Sequence, residues 1–279
     1  MQRSALKKAH DLMLPAIREA AAAVMRFYKS SNYEVMHKDP ENPVTEADFA
    51  ANRILRAAIE QNFPDDAILS EESDSAEERA SMDDRFHRAR TWILDPIDGT
   101  REFIKGRDEF AISAGLVVAG KAVLGFICNP ARNYLLSGGP GLGLYLDGQL
   151  FAHQSRGGHA WPASDQPRYP EIVVSRSEFK SGKLAHLVSY YPDLEKRAVG
   201  SIAYKLALVA DGTYDLVVSV KPKNEWDIAG GAALMNAAGL ELFEGNGSAV
   251  VFNKRNTESF GLVGGTQNAC RWYQSLAAK

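Results

Sequence analysis

Apolar residues recur at helical spacing over residues 5–29. Leu6, Leu12, Leu14, Ile17, Val24 and Phe27 form a partial core face there, and Pro15 predicts a kink. A second helix is predicted after Pro43-Val44. Thr45 can cap it, Asp48 stands three residues on, and Ile54, Leu55 and Ile59 carry its apolar side as far as Asn62-Phe63-Pro64. Short apolar runs then read as strands. Ile68-Leu69 is one, and Trp92-Ile93-Leu94 is another, which Pro96 is expected to end. Two apolar runs within residues 110–128, around Ala119-Gly120-Lys121, predict a hairpin that 133–137 and 143–148 extend as a meander. Residues 74–90 are polar and charged and read as a surface loop or a short helix.

A stretch rich in Gly, Ser, Pro and His, residues 152–170, reads as a linker or boundary. Beyond it the periodicity changes. Strands are predicted at 172–175, 215–220 and 260–263, and helices at 177–190, 201–210 and 227–238. Strands alternating with helices suggest an α/β layer. The expected division is therefore 1–150, an α+β part with an antiparallel sheet, and 151–279, an α/β part.

Composition narrows the class. The 279 residues fit one large domain or two modest ones, and 45% apolar with 24% charged residues is ordinary for a globular protein. A net charge of -3 offers no basic footprint for nucleic acid. No apolar run approaches the ~20 residues that cross a bilayer, and the first 25 residues lack the apolar block of a secretory leader. Cys128 and Cys270 form neither a disulfide framework nor a metal spacing, which points to a reducing cytoplasm.

Candidate chemistry lies in three segments. Asp95-Pro96-Ile97-Asp98-Gly99-Thr100 sets two carboxylates three residues apart at a strand end, before a Gly-Thr step whose N–H groups could hold phosphate. Ser70-Glu71-Glu72 ends the preceding strand with acids, and Glu225-Trp226-Asp227 begins a helix of small residues. Oxygen-only ligands of this kind suit Mg2+. Glu71, Asp95, Asp98 and Asp227 come from three segments, and unpaired carboxylates brought together would repel strongly without cations. No histidine recurs at the spacing of a zinc site.

These segments resemble the signatures of the inositol monophosphatase superfamily: an acidic E-E segment, D-P-[IL]-D-G-T and W-D-x-A-[AG]-G, in that order across residues 35–240. The resemblance implies the layered αβαβα sandwich of the inositol monophosphatase and fructose-1,6-bisphosphatase type. It implies a Mg2+-dependent phosphomonoesterase using two or three ions, lithium sensitivity and a homodimer. It assigns Glu71 to metal and to the attacking water. Asp95 would bridge the metals, the Ile97 carbonyl would complete one shell, and Asp98 and Asp227 would hold the second ion. Thr100 would pair with the water, the Gly99 and Thr100 amides would hold phosphate, and Asp48 would help place the water or a weaker third metal. Glu72 competes with Glu71, because neighbours on a strand face opposite ways and one alone can be a ligand. Asp48 can equally be an ordinary first-turn acid, Trp226 a core aromatic, and Gly230-Gly231 a site of close packing.

The continuation Asp98-Gly99-Thr100-Arg101-Glu102-Phe103 resembles the 3'(2'),5'-bisphosphate nucleotidase (CysQ-like) branch; the inositol phosphatases continue with Asn-Phe. Lys38 seven residues before Thr45, Ser175-Arg176-Ser177, and Glu225 before Trp226 lean the same way. The branch implies adenosine 3',5'-bisphosphate as the small phosphorylated substrate, giving AMP and phosphate. Its second phosphate needs cations, for which Arg176, Lys205 and Lys38 are candidates beside Ser175 as a further substrate contact, though each cation can equally be a solvated surface residue. Gly200 to Lys205 is one residue longer than the branch's G-S-S-x-K. Inositol-1-phosphate and histidinol phosphate remain alternative substrates. A regulatory binding protein with a vestigial site is the alternative of another class, and the intact set of acids speaks against it.

Overall fold

The computed structural model describes residues 2–30, 33–39, 42–72, 84–153 and 169–277, with 37–39, 42 and 277 described as backbone alone. Helix α1, Arg3–Ser30, buries Leu6, Met13, Ile17 and Val24, keeps Leu12, Leu14 and Phe27 at its margin, and runs on through Pro15. Strands β1 (Val35–Asp39) and β2 (Asn42–Thr45) form an antiparallel pair that leads into α2, Glu46–Asn62. Thr45 and Asp48 make the predicted capping box of α2.

The first sheet follows in the order β3 (Ala67–Ser70), β4 (Arg90–Asp98), β5 (Ala111–Val118), β6 (Lys121–Asn129), β7 (Tyr134–Gly139), β8 (Gly143–Leu146) and β9 (Gln149–Phe151). β3 and β4 are parallel and the other pairs antiparallel. The short helix α3, Thr100–Ile104, interrupts the path from β4 to β5. Ala119 and Gly120, both with positive φ, make the hairpin turn expected between β5 and β6. Pro96 does not end β4, contrary to expectation. Asp95 pairs with Ser113 and Asp98 with Ala111, so Pro96 and Ile97 together oppose Ile112. A bulge is where a strand tolerates a residue with no N–H to donate.

The second sheet is ordered β11 (Ala198–Val199), β10 (Ile172–Ser175), β12 (Leu216–Ser219), β16 (Leu262–Gly265) and β14 (Glu241–Glu244). β13 (Lys223–Asn224) and β15 (Glu258–Ser259) pair separately. Its helices are α4 (Arg176–Lys180), α5 (Ala185–Val188), α6 (Ile202–Ala210), α7 (Glu225–Ala237) and α8 (Gln267–Ala277). The single helix predicted over 177–190 is thus two short ones, because Gly182 takes a left-handed conformation between them. The strand predicted at 260–263 lies two residues later, with Phe260 exposed, and α7 begins at Glu225 rather than Asp227. β14 and α8 had no clear signal in the sequence. The proposed linker at 152–170 and the polar stretch at 74–90 lie largely outside the described residues.

Alternation along the strands separates two cores. Trp92 and Leu94 face α1 and α2, whereas Ile93 faces α6 and α7. The other side of α6 and α7 meets Val173, Val217 and Leu262 of the second sheet, whose far face packs on α5 and α8. The layers are helix, sheet, helix, sheet, helix, as the resemblance implied. α7 lies against β5 and β6 so closely that a methyl at Gly230 would sit 2.9 Å from Ser113 Oγ and 3.0 Å from the Ala114 carbonyl. Gly230 is there for packing, as expected. No helix among the described residues is long and apolar enough to cross a membrane.

Candidate active site

Parallel pairing of β3 with β4 brings two acidic strand ends together. The Glu71 N–H donates to the Leu94 carbonyl, which places Glu71 beside Asp95. Glu71, rather than Glu72, brings an oxygen to the cluster. Glu72 is buried, and its backbone is held by Asn52 and Ser70. The bulge turns Asp95 inward: its Oδ1 accepts the Ile97 N–H at 3.0 Å, and its Oδ2 is buried with no hydrogen-bond partner.

Gly99, at φ +98°, reverses the chain after Asp98 and starts α3 with Thr100. A side chain there would be strained and would press on the Glu109 carbonyl. The Thr100 hydroxyl lies 3.0 Å from the Ile97 carbonyl and 3.3 Å from Asp48 Oδ1. Asp48 is the first-turn capping acid that was expected as one alternative, and it also meets Thr100. Its Oδ2 accepts the Thr45 N–H and hydroxyl in the capping box, and its Oδ1 meets Thr100.

Asp227 arrives on the first turn of α7. Glu71, Asp95 and Asp227 each offer a carboxylate oxygen within 4.8 Å of the others. Asp98 lines the same cavity, with its Oδ2 held at 2.6 Å by the Ser201 hydroxyl and at 2.6 Å by the Ala203 N–H. Burial, and then Glu71, Asp98, Asp227 and Asp48, hold the Asp95 carboxyl well above the usual range. Burial, then Asp98 and Glu71, do the same for Asp227. Asp98 is raised by burial, which Ser201, Ala203, Lys205 and Lys223 partly offset. A bare cluster of this kind is costly. The partnerless Asp95 oxygen, facing an all-oxygen donor set, fits a hard divalent cation such as Mg2+.

The residues expected to meet substrate divide. Gly99, Ser175 and Arg176 line a cavity of about 250 Å3 that adjoins the acidic one, of about 480 Å3, across Asp98, Gly99 and Asp227. Arg176 is already paired, donating from Nη2 to both oxygens of Glu109 at 2.5 and 2.6 Å and from Nε at 3.2 Å. Lys205 also lines the first of these cavities but is engaged elsewhere. It is 1% exposed, and its ammonium donates to the carbonyls of Val199, Gly200 and Ser201. An ammonium has three N–H donors, so none is left for substrate. The Lys38 side chain lies outside the described residues.

Sequence reasoning missed Glu109, Ser201, Glu178 and Lys223. Glu178 is buried and accepts from Ser219, Val220, Lys221 and Lys223, which holds Lys223 on the wall common to both cavities. Only Ser201 carried a signal, as the cap of a predicted helix, and Tyr204 N–H does donate to it.

The whole chain compares with known proteins. Residues 6–273 match the model of the inositol monophosphatase family. The 3'(2'),5'-bisphosphate nucleotidase CysQ of Escherichia coli K12 is 31% identical over 90% of this chain and 95% of its own. Inositol monophosphatase 3 of Solanum lycopersicum is 30% identical over 88% of this chain and 90% of its own. In fold, the extragenic suppressor protein SuhB of Bartonella henselae superposes with a TM-score of 0.75 at 23% identity, over 96% of this chain and 98% of that one. The chain therefore belongs to the inositol monophosphatase family and is a metal-dependent phosphatase of that type.

Proposed function

We propose that this phosphatase takes a small metabolite carrying two phosphates, with adenosine 3',5'-bisphosphate as substrate and AMP and phosphate as products. The observation that carries the reading is the separation of charge between the adjoining cavities. One is walled by Glu71, Asp95, Asp98 and Asp227. The other shares Asp98, Asp227, Glu102, Arg101 and Lys223 with it, and beyond that shared wall it is lined by the cations Lys105, Arg107, Arg176 and Lys180. The acidic half suits cations and the reacting phosphate, and the basic half suits a second anionic group. The relative named as a bisphosphate nucleotidase supports the same substrate.

In this reading Glu71, Asp95 and the Ile97 carbonyl would hold one Mg2+, and Asp98 and Asp227, together with Asp95, would hold another. Bound Mg2+ supplies charge neutralisation at the phosphoryl oxygens and acidifies water. Thr100 accepts a hydrogen bond from the attacking water while donating to Asp48 or Ile97, which fixes the direction of attack. Glu71 orients the same water. The Gly99 and Thr100 amides hold a phosphoryl oxygen, and Ser175 borders the second anion. A third ion beside Asp48 and a homodimer belong to the reading by resemblance; a cytoplasmic location rests on the two unpaired cysteines, and the division into parts 1–150 and 151–279 on the change of periodicity along the chain.

Hydrolysis of inositol-1-phosphate is the second reading. The Arg176–Glu109 pair favours it, since a guanidinium already neutralised has less need of a second phosphate. The test is turnover of adenosine 3',5'-bisphosphate, inositol-1-phosphate, histidinol phosphate and fructose-1,6-bisphosphate at fixed Mg2+, with an EDTA control. A higher kcat/KM for inositol-1-phosphate would overturn the bisphosphate assignment. Turnover undiminished by EDTA would overturn the metal assignment.

A further inference from the structure

We infer that Lys205 is a positioning residue for the metal centre, its buried ammonium shaping the 199–201 loop so that this loop fixes Asp98. The geometry is a chain of contacts in one direction. The backbone of Val199, Gly200 and Ser201 wraps the ammonium with its carbonyls. With the carbonyls turned inward, the other groups of the same segment face the site. The Ser201 hydroxyl and the Ala203 N–H both donate to Asp98 Oδ2. The Gly200 N–H donates to Glu109 Oε2, and the Ser201 N–H to the Glu109 carbonyl. Asp98 is thereby held by one oxygen, which sets the direction of the other.

A buried ammonium is tolerated only where its hydrogen bonds are met and opposite charge is near. Three carbonyls meet the first condition, and Asp98, Glu178 and Glu102 supply the second against Lys223. Burial lowers the Lys205 pKa to about 8, and Asp98 acts against that fall. Lys205 thus also places a positive charge near Asp98, which favours the ionised carboxylate. With its three N–H donors taken by carbonyls, it acts through the loop rather than on substrate or metal.

The inference rests on Asp98 being a metal ligand, and the experiment separates the two claims. Mg2+ binding to the full-length protein is measured by calorimetry for wild type, Lys205→Met, Ser201→Ala and the double variant. Thermal unfolding in metal-free buffer is recorded alongside. Each single variant should weaken Mg2+ binding by about tenfold or more, the scale of losing a ligand's outer support. The double variant should be little worse than the weaker single, because both act through the same oxygen of Asp98. In turnover, kcat should fall while the KM values for adenosine 3',5'-bisphosphate and inositol-1-phosphate shift by the same factor. Unchanged Mg2+ affinity in Lys205→Met, with a loss confined to the bisphosphate, would instead make Lys205 a substrate contact. Should Lys205→Met not fold, Ser201→Ala decides alone, and wild-type Mg2+ affinity in that variant overturns the inference. A wild type that binds no Mg2+ overturns the metal reading and this inference with it.

Discussion

Asp48 and Asp227 hold the same place in two different helices. Each is the third residue of its helix, and each accepts the backbone N–H of the cap residue through Oδ2 at 2.8 Å, from Thr45 in one case and Asn224 in the other. A carboxylate has a second oxygen to spare. That of Asp48 reaches Thr100, while Asp227 joins Glu71 and Asp95. Helix capping thus gives both acids a rigid mount, and the helix N-terminus favours their ionised form against the repulsion of their neighbours. Structure and chemistry draw on different atoms of one side chain, so substitutions can separate them.

Asp48→Asn should keep the cap, because the amide oxygen still accepts from Thr45, and so leave the melting temperature nearly unchanged. It should nonetheless slow turnover, since an amide facing Thr100 cannot take a proton or hold the same water. Asp48→Ala should slow turnover and also cost about 1–3 kcal/mol, the penalty of a buried donor left unpaired. Urea unfolding beside kinetics checks both. Wild-type turnover in Asp48→Asn would reduce Asp48 to a capping acid.

Local chemistry was legible before the fold was known. The capping box at Thr45–Asp48, the turn at Ala119-Gly120 and the close packing at Gly230 each follow from a few adjacent residues. The acids were legible as well, because paired strand ends and a helix start must present them. Non-local partners were not. Ser201 meets Asp98 across 103 positions and Arg176 meets Glu109 across 67, and no periodicity records such a meeting. Glu225 shows the same limit: its carboxylate accepts the N–H groups of Asn253 and Lys254, 28 and 29 positions away.

The metal-free protein should be more stable on the acid side of neutrality. Asp95, Asp98 and Asp227 have folded pKa values raised above the ordinary 3.8, so the folded state binds more protons than the unfolded one. Stability then falls as pH rises from 3.8 through their raised values. His10, whose pKa burial depresses below 6.5, pulls the other way, so the reading is a difference against Asp95→Asn, which shares His10. Without metal, Asp95→Asn should melt higher than wild type near pH 7, with a smaller gain on acidification. With Mg2+ its turnover should fall below about a tenth of wild type, since the shared carboxylate is gone. Calorimetric scans in EDTA across pH test the first part, and a metal-free melting temperature below wild type would make Asp95 a structural acid.

Lithium chloride at millimolar concentration should inhibit, while potassium chloride at equal ionic strength should not. A small monovalent ion in a Mg2+ site occupies the carboxylates without supplying the second charge. The degree of inhibition should therefore change with Mg2+ concentration. Turnover indifferent to lithium would count against a paired-metal centre built on these acids.

Gly230→Ala should couple packing to metal binding. The new methyl would lie 2.9 Å from Ser113 Oγ and 3.0 Å from the Ala114 carbonyl, and a strand backbone cannot give way cheaply. Overpacking of this kind costs about 1–3 kcal/mol. Relief comes by lifting α7 from β5, and α7 carries Asp227 in its first turn. Mg2+ affinity should therefore fall along with stability. Lost stability with Mg2+ binding intact would mean that the helix start is held independently of the helix body, by the capping box of Asn224 and Asp227.

The Arg176–Glu109 pair makes specificity testable from both sides. If Arg176 faces the second phosphate, Arg176→Ala should cost the bisphosphate about 1.5–3 kcal/mol in kcat/KM, the scale of a hydrogen bond to a charged group. The loss should be larger than for simple deletion of a cation, because Glu109 loses the guanidinium that neutralises it. A monophosphate places nothing there and should be nearly unaffected. Glu109→Gln acts in the opposite sense: it frees the guanidinium and should improve kcat/KM for the bisphosphate relative to inositol-1-phosphate. Glu109 also accepts the Gly200 N–H, which a glutamine carbonyl can still do, so the loop need not move. Opposite changes in the two variants, confined to the bisphosphate, would place Arg176 at the second phosphate. Equal losses for both substrates would place the pair in the framework of the fold, and the basic cavity would then have to recognise its anion through Lys105, Arg107 and Lys180.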